Sequence, residues 1–283
     1  MKKITALLLG TAMMLSLAAC GSSASVSEST ASSETSSSEA ASSEASAETA
    51  GELTTVTPGK LTMSTNAAFP PYEMTDDNGN YVGIDIEVAE AIADKLGLEL
   101  QVDDMDFDAA LLAAQTGKSD MVMAGVTVTE ERQTVMDFSN TYANGIQVVI
   151  VPEDSDIASI DDLTGKAIGV QRGTTGDLYC SDTVENGGFG AENVTPYPDG
   201  LTAVQALNNG QVDCVVIDNA PAQEFVEANP GLKILDTEYA NEEYAIGVAK
   251  GNTAMLDAIN GALEELKADG TVQSIVDKYI TAE

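Results

Sequence analysis

The chain runs to 283 residues, with 46 acidic against 12 basic side chains, a formal net charge of −34 and no histidine. A surface of that sign repels phosphate backbones and anionic headgroups, which argues against nucleic acid as a partner. Without histidine the usual metal ligand and the commonest general base are both missing, so zinc enzymes and hydrolase triads are poor readings and no metal or other cofactor is expected.

The N-terminus reads as an export signal. Lys2 and Lys3 precede an apolar run over residues 4–15 that is too short for a convincing membrane span. LAAC (17–20) followed by Gly21 is similar to a bacterial lipobox, with cleavage before Cys20 and lipid carried on that cysteine. A plain signal peptide cut at small residues would look alike but would not need the cysteine. Residues 1–19 are therefore expected to be a lipoprotein signal peptide, and lipid on Cys20 to anchor the mature chain to the cell membrane on its extracytoplasmic face. Residues 20–57 are Ser-, Ala-, Thr- and Glu-rich, cannot bury enough apolar surface to offset their ordering entropy, and are expected to be a disordered tether.

KLTMSTN (60–66) opens the folded part as a strand. Pro70 and Pro71 then force a loop, and DDNGN (76–80) is turn chemistry. GIDIEVAEAIADKLG (83–97) is the clearest helix, with Val88, Ala89, Ile92, Ala93 and Leu96 on one face and Gly97 as its stop. LELQVDD (98–104) reads as a strand, FDAALLAAQTG (107–117) as a helix and SDMVMAGV (119–126) as a strand. TVTEERQTVMDFS (127–139) follows, carrying Arg132, one of two arginines in the chain. A second round comprises the strands 145–151, 166–171 (running into RGTTGDLY, 172–179) and 212–218, VTPYP (194–198), and helices through 203–210 and 220–228. EEYAIGVAKG (242–251) reads as a return crossing before two closing helices. Strands alternating with helices argue for two α/β lobes. Cys180 and Cys214 match no metal motif, and their spacing leaves both a disulfide and two buried thiols open.

The order and spacing of these motifs over residues 60–283, with GIDIEVAEAIADKLG as the most specific of them, resemble the bacterial extracellular solute-binding proteins, family 3. The resemblance implies a two-lobed periplasmic-binding-protein-like fold of type II, each lobe a mostly parallel sheet flanked by helices. Lobe 1 would hold residues 58–145 and 243–283 and lobe 2 residues 146–242, with hinge segments near 142–147 and 244–248. It also implies a monomer that captures a free polar L-amino acid by closing its lobes and delivers it to the permease subunits of an ABC importer.

By the same resemblance, Arg132 clasps the α-carboxylate of the ligand, a task its planar fork of donors suits. Thr175, in the GTTGD turn (173–177), meets the same carboxylate where a helix start favours anions. Asp218, closing VDCVVID, takes the α-ammonium, although an ordinary helix N-cap would also explain an acid there. Gly125 and Thr127 add carbonyl and hydroxyl contacts, and Phe69 and Phe107 sandwich the aliphatic stem. Asn66 is neutral where relatives that bind lysine or arginine often carry an acid. A cationic ligand would then need Glu73, Asp76 or Asp177 as substitute. Arg172 receives no role. A sensory receptor module and an enzyme adapted from the same fold are the alternatives, but no signalling or catalytic segment is expected beyond the closing helices.

Overall fold

The computed structural model describes residues 53–236 and 238–280. The expected signal peptide, Cys20 and the tether up to residue 52 lie outside the described residues. The last tether residues, however, belong to the folded part. Leu53 packs against the core, and the Val56 N–H donates to Asp120 Oδ1 at 2.8 Å. Asp120 draws them in because its buried carboxylate needs donors; its Oδ2 takes the Thr62 N–H at 2.7 Å.

The chain opens with β1 (Lys60–Thr65) and a small antiparallel sheet of β2 (Ala68–Phe69), β3 (Glu73–Thr75) and β4 (Tyr81–Val82), with Pro70 and Pro71 in the β2–β3 turn. Helix α1 (Ile84–Leu96) buries Ile84, Val88, Ala89 and Ile92 and ends at Gly97, whose φ of 69° only glycine adopts readily. Then come β5 (Glu99–Asp104), α2 (Phe107–Gln115), β6 (Met121–Val122), the short α3 (Glu130–Gln133) and β7 (Met136–Phe138). The second lobe brings β8 (Ala143–Pro152), β9 (Ile168–Gln171), α4 (Thr175–Ser181), β10 (Val194–Tyr197), α5 (Gly200–Asn208), β11 (Cys214–Asp218), α6 (Asn219–Ala228), β12 (Leu232–Ile234) and β13 (Ala240–Tyr244). The chain returns through β14 (Gly247–Ala249) to α7 (Thr253–Ala268) and α8 (Thr271–Tyr279).

The first lobe is built on a sheet of order β5-β1-β6-β14-β7, the second on β10-β9-β11-β8-β12 with β13 beside β8. β5, β1 and β6 run parallel, as do β10, β9 and β11. The strands that carry the chain between lobes, β8, β13 and β14, join antiparallel, so both sheets are mixed. In the second sheet the alternation is complete. Val149, Val151, Ile168, Cys214 and Val216 face one apolar cluster, and Val148, Ile150, Val215 and Ile217 face another. Helix-covered strands need apolar residues on both faces, which is why VDCVVID and VVIV read as continuous runs.

The crossings are short. β8 and β13 already pair from Ala143↔Tyr244 onward, and Thr127 bridges to Tyr244. Gly145 is required there, since a Cβ would lie 2.3 Å from the Tyr244 hydroxyl oxygen. The expected strand over 119–126 shortens to Met121–Val122 because the chain leaves the ladder and turns at Gly125, φ 54°. Cys180 and Cys214 are free, buried thiols within one apolar cluster, and burial raises both, Cys214 to about 12.

Candidate functional site

Parallel strands leave their carboxyl ends at the edge where α/β sheets usually bind ligands. Gln171 ends β9 and Asp218 ends β11; Asn66 follows β1, and Ala124 and Gly125 follow β6. These ends meet between the lobes around a pocket lined by Asn66, Phe69, Glu73, Phe107, Ala124, Gly125, Thr127, Arg132, Gln171, Thr174, Thr175 and Asp218. All eight residues singled out for binding from the sequence line it.

Arg132 is 6% exposed. It sits in α3, where Thr129 caps the helix by accepting the Arg132 backbone N–H at 3.1 Å. Its Nη1 donates to the Thr127 carbonyl at 2.8 Å and its Nη2 crosses to the Gly173 carbonyl of the other lobe at 3.1 Å. The guanidinium carbon lies 5.5 Å from the centre of the Phe107 ring. Burial holds its pKa below the usual arginine value, and among the described residues it forms no salt bridge. A buried cation whose side-chain hydrogen bonds go to carbonyl oxygens is a ready partner for an anion. Across from it α4 begins. Thr174 is its cap, accepting the Asp177 N–H at 3.3 Å, which leaves Thr175 in the first turn with its Oγ1 3.5 Å from Gln147 Nε2. N–H groups of a first helical turn have no intrahelical acceptor and favour negative charge.

Asp218 occupies the N-cap position of α6, yet its side chain caps nothing there. Its Oδ1 instead accepts the Tyr244 hydroxyl. Burial, reinforced by the charge of Glu242, pushes its carboxyl up to about 7. Thr127 donates its hydroxyl to Glu242 Oε2 at 2.9 Å, and the same oxygen takes Gln147 Nε2 at 3.2 Å. Asn66 donates to the Met105 carbonyl at 3.0 Å and accepts from Gln171 of the other lobe at 2.9 Å. Gly125 donates its N–H to Asp85 Oδ2 at 2.9 Å, and a Cβ there would lie 2.9 Å from the Phe69 ring.

Of the three acids that could stand in for Asn66, only Glu73 lines the cavity. It is fully buried, and neither of its oxygens has a hydrogen-bond partner. Asp76 serves its own turn, accepting the Asn78 and Asn80 N–H groups at 2.8 Å each. Asp177 accepts the Gly173 N–H at 2.9 Å. Sequence reasoning missed Gln171 and Thr174 in the lining, and Glu242 and Gln147 behind it. Gln171 had a signal, since it ends its strand as Asp218 ends β11.

The site therefore offers a buried cation and a helix start to an anionic group, and buried carboxylates to a cationic one, with two phenyl rings between as apolar wall. Residues 61–282 match the bacterial extracellular solute-binding proteins, family 3. The chain belongs to that family. Its relatives include the arginine-binding extracellular protein ArtP of Bacillus subtilis, 30% identical with the whole of both chains covered. A probable histidine-binding protein of Neisseria gonorrhoeae is 33% identical over 80% of this chain and 85% of its own. Among solved structures, an ancestral arginine-binding protein bound to glutamine superposes with a TM-score of 0.74 at 42% identity, over 80% of this chain and 100% of that one. Proteins of this family are solute-binding components that work with ABC transporter permeases. Among the described residues no helix is long and apolar enough to cross a membrane, and no cluster of potential metal ligands is present.

Proposed function

We propose that this chain captures a free L-amino acid of arginine's class between its lobes and presents it to the permease of an ABC importer. The observation that carries this reading is the division of charge in one closed cavity. Arg132 is a buried cation, Asp218 and Glu73 are buried acids, and none of the three forms a salt bridge among the described residues. A ligand with an α-carboxylate, an α-ammonium and a cationic side chain supplies an opposite charge for each of these three.

In this reading Arg132 and the first turn of α4 take the carboxylate, Asp218 takes the ammonium, and Glu73 takes the guanidinium. Phe69 and Phe107 hold the stem, with Thr127 and Gly125 beside the ammonium and Asn66 fixing the cleft through Gln171. The arginine- and histidine-binding relatives support a basic ligand. Lobe 1 would comprise residues 58–145 and 243–283 and lobe 2 residues 146–242, closing about the paired β8 and β13. Lipid on Cys20, after removal of residues 1–19, would hold the monomer at the extracytoplasmic face of the cell membrane.

The neutrality of Asn66, and a relative bound to glutamine, favour a second ligand class: an uncharged amide side chain in the same cavity. Titration calorimetry with L-arginine, L-histidine, L-glutamine and L-cystine separates the two. L-arginine is expected to bind tightest; heat from glutamine and none from arginine would replace the first reading with the second.

A further inference from the structure

Glu73 and its neighbour Asp85 form a buried pair of acids that the proposed function only half uses. Both are 0% exposed. Glu73 comes from β3 and Asp85 from the first turn of α1. Neither forms an ion pair among the described residues. The titratable groups facing Glu73 are all acids or phenols. They are Asp85 on α1, Asp104 at the end of β5 and Asp218 from the second lobe, with Tyr72 beside it and Tyr142 from the crossing segment.

As two carboxylates, the pair has no proton to share. Both Glu73 oxygens and Asp85 Oδ1 then lack a donor, as the buried Tyr142 hydroxyl lacks a partner. Two negative charges buried together without an ion pair strongly favour holding one proton between them at ordinary pH. A single proton on Glu73 resolves the arrangement, because its O–H can donate to Asp85. The charge belongs on Asp85, whose Oδ2 already receives the Gly125 N–H at 2.9 Å. Burial and the charge of Asp85 push Glu73 well above the carboxylate range. Burial raises Asp85 too, but the hydrogen bond from the Gly125 N–H opposes the rise.

We propose that Asp85 is a positioning residue that sets ligand choice by keeping a proton on Glu73, so that the empty cavity presents a neutral acid to an amide side chain and becomes a carboxylate only when a guanidinium enters. This rests on the arginine-class reading above. The step is a proton loss: the Glu73 O–H bond breaks, its electrons stay on the carboxylate facing the guanidinium, and the proton leaves to solvent. Arginine binding must then release about one proton more than glutamine binding. The α-groups of the two ligands are identical, so any proton lost from Asp218 is common to both and cancels. Arginine affinity should climb by up to about tenfold per pH unit over the range in which the empty protein holds that proton, and the glutamine affinity should lack this component.

The test is calorimetry of the full chain with L-arginine and with L-glutamine near pH 6.5, in buffers of different ionisation enthalpy. The expected result is an excess release approaching one proton for arginine. Asp85→Asn keeps an acceptor for the Gly125 N–H and offers its NH₂ to an ionised Glu73, so arginine release in this variant should fall by about the same amount and its pH profile should flatten. If Asp85→Asn does not fold, Glu73→Gln must abolish the excess and favour glutamine over arginine. Equal release for the two ligands, or an excess that survives either substitution, overturns the inference while leaving arginine capture intact. Absence of arginine binding overturns the proposed function and this inference with it.

Discussion

Arg132→Ala separates a ligand-binding cation from a structural one. In the closed cleft Arg132 has two carbonyl acceptors and a phenyl face but no salt bridge among the described residues. For the empty protein, the substitution loses those hydrogen bonds and that packing, each worth about 1–2 kcal/mol, and also removes the cost of burying an unpaired charge. The two effects oppose each other, so the ligand-free melting temperature should move by only a few degrees. For the complex nothing offsets the loss, because the ligand carboxylate is left buried and unpaired. Breaking a buried pair in this way costs about 3–5 kcal/mol, which is roughly two to four orders of magnitude in Kd. Arg132→Lys keeps the charge without the fork and should lie between, roughly ten- to hundredfold weaker than wild type. Calorimetry with L-arginine on all three proteins, alongside ligand-free thermal unfolding, gives both numbers. A Kd for Arg132→Ala within threefold of wild type would refute the assignment. So would a melting temperature that collapses while affinity per folded molecule is kept.

Three further outcomes are expected. The folded-state pKa of Asp218, about 7, lies above the ordinary value near 3.8. The folded protein thus binds more protons than the unfolded one across that window, and ligand-free stability should fall as pH rises through it, by on the order of 4 kcal/mol in all. Urea unfolding at pH 5 and pH 8 should show a smaller fall in Asp218→Asn; an identical fall in both proteins would contradict this. Glu73→Gln should weaken L-arginine about ten- to hundredfold while L-glutamine changes by no more than about threefold, and equal losses for the two ligands would remove Glu73 from the side-chain end of the site. Gly125→Ala forces a side chain into φ 54° and onto the Phe69 ring 2.9 Å away, so stability should drop by about 1–3 kcal/mol and affinity with it. Unchanged melting and unchanged Kd would show that Phe69 yields freely.

What could be read from the chain alone followed from how local the cause was. Helix α1 carries its face, its acidic first turn and its glycine stop within 83–97, so its limits were legible. The four-residue α3 offered no period to detect, although Thr129 before Glu130–Gln133 was its cap signal. The small sheet around Pro70 and Pro71 escaped because its strands of two and three residues are shorter than any alternation. Arg132 and Asp218 stood out through charge type and strand ends. Glu242 did not: its burial depends on Thr127 and Gln147, which are 115 and 95 residues away in sequence. Nor did any pattern in residues 60–66 hint that Asn66 would be answered by Gln171, 105 residues on.

Those long-range pairings bear on how faithfully the protein reports its own occupancy. Asn66–Gln171 and Arg132–Gly173 join the lobes without any ligand atom between them. Each is worth about 0.5–3 kcal/mol net, so together they set a floor under how often an empty cleft shuts by itself. A permease that senses only the outline of the shut form would be deceived in proportion to that floor. Buried, unmatched charge raises the free energy of the empty shut state and restrains such false signals. The same unmet charges that draw ligand in therefore act as a check on the message sent without it.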